Sequence, residues 1–256
     1  MIFTLLVLAV AGVAGGLWKS GRLKISDIAP PAPRPAAAAP GLGTPDPGTA
    51  TTVQPGPSPS SVATPAGVVD PGAGTFVTVA TSGPTLGTAG AVRRFRVEVE
   101  NGINEDPDAF AATIDAVLGD PRSWIASGQF RLQRVPATAQ AEFTIILASP
   151  TTSESRCADG GLHTEKFTSC RLPGQVIIND ARWKLAIPDY GAPLDVYRTY
   201  AINHEVGHQF GHGHEACTGP GQLAPVMQQQ TYGLKGCVAN PWPFVNGQRY
   251  AGPPIP

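Results

Sequence analysis

His204-Glu205-Val206-Gly207-His208-Gln209-Phe210-Gly211-His212-Gly213-His214 is the stretch on which the reading of this chain turns. Two histidines four apart lie on one face of a helix, one turn above the other, so both imidazoles can reach a single cation. Glu205 stands beside the first, where its carboxylate can hold an activated water and take its proton. On a straight helix, histidines at 204, 208 and 212 would span roughly 12 Å, too far for three bonds of about 2.1 Å to one ion. Gly211 offers a way out. At positive φ it ends the helix and lets the chain double back, so that His214 rather than His212 brings the third nitrogen. Three protein ligands leave one coordination position open, whereas a structural zinc more often has four closed ligands, commonly including thiolates.

The helix carrying this motif is expected over about 195–211. Upstream of it, 76–80 and 92–100 read as strands, the second with Phe95, Val97 and Val99 alternating against Arg94, Arg96 and Glu98. Asp106-Pro107 opens a helix through Leu118, with Phe110, Ile114, Val117 and Leu118 at helical spacing, and Gly119-Asp120-Pro121 ends it. Further strands are expected at 130–135, 143–147 and 175–179. This order predicts an α+β or α/β domain built on one twisted mixed sheet with two main helices.

Ahead of that domain, assigned to 76–256, the chain changes character. Residues 2–18 are apolar except for Thr4 and are followed by Lys19, Arg22 and Lys24, so 1–24 reads as a signal peptide or membrane anchor. The run is short for a span of about 20 residues and long for a signal-peptide apolar region of roughly 7–15. Charges that follow the run would leave the body of the protein in the cytoplasm, in conflict with the cysteines below. Residues 25–75, rich in Pro, Ala and Gly, hold too few large apolar side chains for a core and read as a disordered linker. A formal net charge of -1 with no basic stripe excludes nucleic acid as a partner.

Cys157, Cys170, Cys217 and Cys237 are even in number and contain no Cys-x-x-Cys pair. Two disulfides in sequential order, Cys157-Cys170 and Cys217-Cys237, are the favoured reading and imply an extracytoplasmic domain, secreted or anchored at the cell surface through the apolar segment. Four reduced buried cysteines in a cytosolic protein are the alternative.

With Pro225-Val226-Met227 after it, the motif His204-Glu205-x-x-His208-x-x-Gly211-x-x-His214 resembles the metzincin clan of zinc endopeptidases. The larger stretch from Asn203 to Pro241, with Ala224-Pro225-Val226-Met227-Gln228-Gln229 and Gly236-Cys237-Val238-Ala239-Asn240-Pro241, is similar to an actinobacterial family of exported proteins of undefined function, itself predicted to be metzincin-like; that likeness covers about 76–250. The resemblance implies one catalytic Zn2+ held by His204, His208 and His214, Glu205 as general base, Gly211 and Met227 as structural support, and a peptide or protein substrate. Glu215 after the third histidine is similar to astacins, without the aromatic residue and arginine of their signature. Where astacins and serralysins carry a tyrosine, two residues after the turn methionine, this chain has Gln229. Tyr232 is the nearest tyrosine and the candidate oxyanion stabiliser; a packed tyrosine with a satisfied hydroxyl is the plainer reading. The expected activity is an exported endopeptidase using a zinc-activated water, the alternative a non-catalytic zinc-containing cell-envelope binding module. His163 reads as a surface histidine, and His212 as a neighbour of the ligands or simply solvated.

Overall fold

The computed structural model describes residues 66–255; the apolar run at 2–18 and the linker through residue 65 lie outside them. β3 (Ala91–Glu100) is the spine of the sheet, with Phe95, Val97 and Val99 at 0%, 0% and 1% exposure, as a half-buried strand requires. It pairs in parallel with β4 (Phe130–Arg134) and β5 (Phe143–Ala148), and β5 pairs in parallel with β7 (Gln175–Asn179). β6 (Cys170–Leu172) closes that edge antiparallel, while β1 (Phe76–Thr78) and β2 (Thr85–Leu86) add antiparallel to β3 and β4. Among the described residues this makes one seven-stranded mixed sheet, ordered β2-β4-β3-β5-β7-β6 with β1 beside β3, and a small ladder of β8 (Phe244–Val245) with β9 (Gln248–Arg249). The architecture is α+β.

Among the described residues, four helices pack on this sheet. α1 (Pro107–Gly119) starts where Asp106 accepts from the amides of Asp108 and Ala109, and buries Phe110, Ile114, Val117 and Leu118. α4 (Leu194–Gln209) lies on the same face: Ile145 and Leu147 of β5 share one apolar cluster with residues of both helices. Ile146 and Ala148, pointing the other way, pack with Cys157 of α2 (Pro150–Asp159), which therefore covers the opposite face. α3 (Asp180–Leu185) begins at the capping side chain of Asn179. α2 and α3 add to the two expected helices. Their stretches are short and polar, and their starts are set by Ser149, Pro150 and Asn179 rather than by an apolar period.

The packed chain also reaches back before Phe76, shifting the expected linker boundary. Asp70 Oδ1 accepts from the Thr151 amide at 2.7 Å, Gly72 N donates to Ser149 Oγ at 3.0 Å and Gly74 N to Glu100 Oε1 at 2.8 Å. Glu100 is buried and also accepts from Ser149 N and Thr152 Oγ1, each at 2.7 Å. Composition alone hides such an attachment, because backbone amides and carboxylates make it and little apolar surface is involved.

Asp180, fully buried, accepts at Oδ2 from Lys184 Nζ at 2.9 Å and leaves Oδ1 without a partner among the described residues. Burial pushes its carboxyl up to about 6, reinforced by Glu105 and Glu100 and opposed by Lys184. Because the folded pKa lies above the unfolded one, the group's contribution is fully present below about pH 3.9 and is lost as pH rises through about 6, a fall of about 3 kcal/mol. Asp180→Asn should flatten that part of the stability profile and raise stability at pH 7, read by urea unfolding at pH 4 and 7. Lys184 keeps Glu105 at 3.5 Å in that variant.

Cys157–Cys170 joins α2 to the edge strand β6, and Cys217–Cys237 joins two loops beyond α4; no cysteine is free. The pairing is sequential, as expected, and two disulfides suggest an oxidising, extracytoplasmic environment. No helix among the described residues is long and apolar enough to cross a membrane. The sequence separation of 13 in the first bond and 20 in the second makes each worth about 3 kcal/mol by loop entropy. Thiol alkylation should require reductant, and Cys157→Ser/Cys170→Ser should lower the unfolding free energy by that amount, measured by urea unfolding.

Candidate metal centre

α4 ends at Gln209 with a left-handed residue after its cap: Gly211 has φ +90°, the Gly211 amide donates to His208 O at 3.1 Å and the His212 amide to Gly207 O at 3.0 Å. These are the two bonds of a Schellman motif. No atom would meet a Cβ at Gly211, so the requirement for glycine is conformational. The reversal brings His214 back beside the helix. His208 Nε2 lies 3.2 Å from His204 Nε2 and 3.1 Å from His214 Nε2.

The opposite nitrogens are held by backbone carbonyls. His204 Nδ1 is 2.8 Å from Val226 O, and His208 Nδ1 is 2.8 Å from His212 O. A carbonyl can only accept, so Nδ1 carries the proton and each Nε2 turns a lone pair toward the common point. Burial pushes His204 down to about 3 and His208 to about 4, helped by the neighbouring imidazoles, and lowers His214 as well. Lone pairs of His204 and His208 aimed at one point, with His214 Nε2 beside them, are stabilised by a cation between the rings. The three ligand nitrogens lie within 4.8 Å of one another, a donor set that could hold one metal ion.

Beneath the triad lies the turn Pro225-Val226-Met227-Gln228, closed by Gln228 N to Pro225 O at 2.9 Å. Its Val226 carbonyl holds His204, while its Met227 carbonyl accepts from Glu215 N, one residue after His214, at 3.0 Å. Met227 is 0% exposed. A strap of the chain's last described residues fixes the third histidine: Ile255 N donates to His214 O, Ala216 N to Pro253 O, and Arg249 Nη2 to Glu215 Oε1 at 2.7 Å. Cys217–Cys237 closes the same region.

Glu205 faces the cleft from the first turn of the motif and forms no hydrogen bond among the described residues; burial pushes its carboxyl up to about 8. A cation beside it would favour the ionised form. Around it the cleft, of about 620 Å³, is lined by α4, by the segment from Gly161 to Arg171 and by Tyr232. Tyr232 is 51% exposed, with its ring centroid 5.9 Å from that of Phe167. It is exposed rather than packed, and its hydroxyl has no hydrogen-bond partner among the described residues. His163 is an exposed loop residue, its Nδ1 3.8 Å from Glu154 Oε1. His212 is placed to support rather than coordinate: its ring stacks on Trp124 at 4.3 Å and its carbonyl orients His208.

Trp124 was not among the residues singled out from sequence. Its indole Nε1 donates to Asn203 O at 2.8 Å, and Ser123 Oγ donates to Asn203 Oδ1 at 2.8 Å, so one short helical turn (Trp124–Ser127) braces the helix just before its first histidine. Only an aromatic three residues after Pro121 marked it in the sequence. Arg171 was also passed over, because one charge in a three-residue edge strand has no pattern to reveal it.

No curated protein and no solved structure matches the chain. The model of the family described as Protein of unknown function (DUF3152) matches residues 63–238, which include all three histidines, Glu205 and the Met227 turn, and the chain belongs to that family.

Proposed function

We propose that this protein is an exported, zinc-dependent endopeptidase of metzincin type. One observation carries the reading: on a helix and its reversed continuation, His208 Nε2 stands 3.2 Å from His204 Nε2 and 3.1 Å from His214 Nε2, beside a buried carboxylate that opens into a cleft. A mixed sheet, a helix bearing the motif and a buried methionine turn below it are the parts the resemblance calls for. His204, His208 and His214 would hold the ion. Bound there, zinc supplies Lewis acidity, polarising a carbonyl and lowering the pKa of water to about 7.

The chain's own residues supply the rest. Glu205 takes the proton of the attacking water and later delivers it to the departing amine, which its place in the first motif turn and its unspent oxygens allow. Tyr232, which lines the same cleft, is the candidate donor to the developing oxyanion. The apolar run outside the described residues, with the disulfides, fits export to the cell surface or beyond.

The test is a broad peptide-library digest by the purified protein, with zinc quantified in the same sample. Cleavage that stops on chelation and returns with zinc supports the reading. Stoichiometric zinc without cleavage of any peptide would move the conclusion to a zinc-containing binding module.

A further inference from the structure

The cleft is unevenly charged. Glu205 is the one carboxylate among its lining residues, and Arg171 is the one side chain there that is cationic at every physiological pH. Arg171 sits at the centre of β6, between the buried Cys170 and Leu172. Those two pack with α2 on one face of the sheet, so Arg171 projects from the other, the face that carries α4. Its Nε donates to Gln209 Oε1 at 2.9 Å, and Gln209 follows His208 directly. That bond fixes the guanidinium plane one residue from the triad.

The remaining donors of this guanidinium are unspent. Arg171 makes no ion pair and no other side-chain hydrogen bond among the described residues. Both terminal nitrogens therefore offer their N–H groups as a fork, the geometry that matches a carboxylate bidentately. The strand presenting it is held by the Cys157–Cys170 bond. A partly buried cation with no internal anion, ordered by a neutral amide at the wall of a cleft, is a receptor awaiting an anionic partner.

Building on the peptidase reading above, we infer that Arg171 selects substrates carrying a carboxylate near the scissile bond, from a Glu or Asp side chain or from a free C-terminus. Arg171 is then a specificity-determining residue, presented from β6 rather than from the motif helix.

The experiment uses the zinc-loaded protein and a peptide library to locate cleavage sites, then matched peptides differing only as Glu or Gln at each flanking position, each with a free or amidated C-terminus. The expected result is a preference of about ten-fold or more in kcat/KM for the acid, the scale of one charge-assisted pair. Arg171→Gln should cut that preference to below about two-fold while keeping turnover of the Gln peptide, and Arg171→Glu should turn the preference toward Lys. Loss of the preference on C-terminal amidation identifies the terminal carboxyl; its persistence identifies the side chain. Cleavage at equal rates of Glu and Gln, free and amidated peptides overturns this inference and leaves the peptidase reading standing. Anisotropy binding of the same labelled peptides to Glu205→Gln protein gives a readout free of turnover. If nothing is cleaved the peptidase reading falls, and an Arg171-dependent preference in binding still supports the carboxylate site, whereas equal binding overturns it.

Discussion

His208→Ala should abolish stoichiometric zinc, whereas Glu205→Ala should keep the metal and lose about 10²–10⁴-fold in kcat. The asymmetry follows from position. His208 Nε2 is the apex of the triad, 3.1–3.2 Å from both other nitrogens, and its removal leaves His204 and His214 without the donor between them. The backbone carbonyl of His212 also loses its partner, freeing the loop that returns His214. Glu205 contacts none of these groups by hydrogen bond, so its removal disturbs proton transfer alone. Metal analysis after gel filtration and steady-state kinetics on one cleaved peptide measure the two effects. Equal loss of zinc in both variants would place Glu205 among the ligands and remove the general base from the mechanism.

What the sequence disclosed and what it hid divide along physical lines. The alternation Phe95, Val97, Val99 and the helical spacing from Phe110 to Leu118 are one-dimensional records of burial, so β3 and α1 were legible with the correct faces inward. The reversal at Gly211 was legible because a distance argument on an ideal helix required it. The carbonyls of Val226 and His212 that set the tautomers could not be read, since a backbone acceptor carries no residue-type signature. Nor could Trp124 or Arg171, which reach the site from a loop and an edge strand with no periodic pattern.

Gly207→Ala should destabilise the domain by about 1–3 kcal/mol and weaken zinc retention, although the position lies inside a helix where alanine is otherwise the better residue. A Cβ at Gly207 would overlap Met227 Sδ and stand 2.6 Å from Trp124 Cζ2. Neither neighbour has room to retreat. Met227 is flexible but 0% exposed, and its carbonyl is engaged by Glu215; the Trp124 ring, 2% exposed, is tied to Asn203 O through Nε1 and stacked on His212. Pushing Met227 down would shift the turn whose Val226 carbonyl holds His204, and pushing Trp124 out would disturb the ring of His212, whose carbonyl holds His208. Either displacement reaches a histidine of the triad through a hydrogen bond at its Nδ1. The absence of a side chain at the third residue after His204 therefore lets the helix press against both its brace and its floor. Urea unfolding with zinc present and after chelation separates the packing cost from the metal-linked one. If Gly207→Ala matched the wild-type protein in both, the close approach of helix and turn would have no bearing on the metal centre.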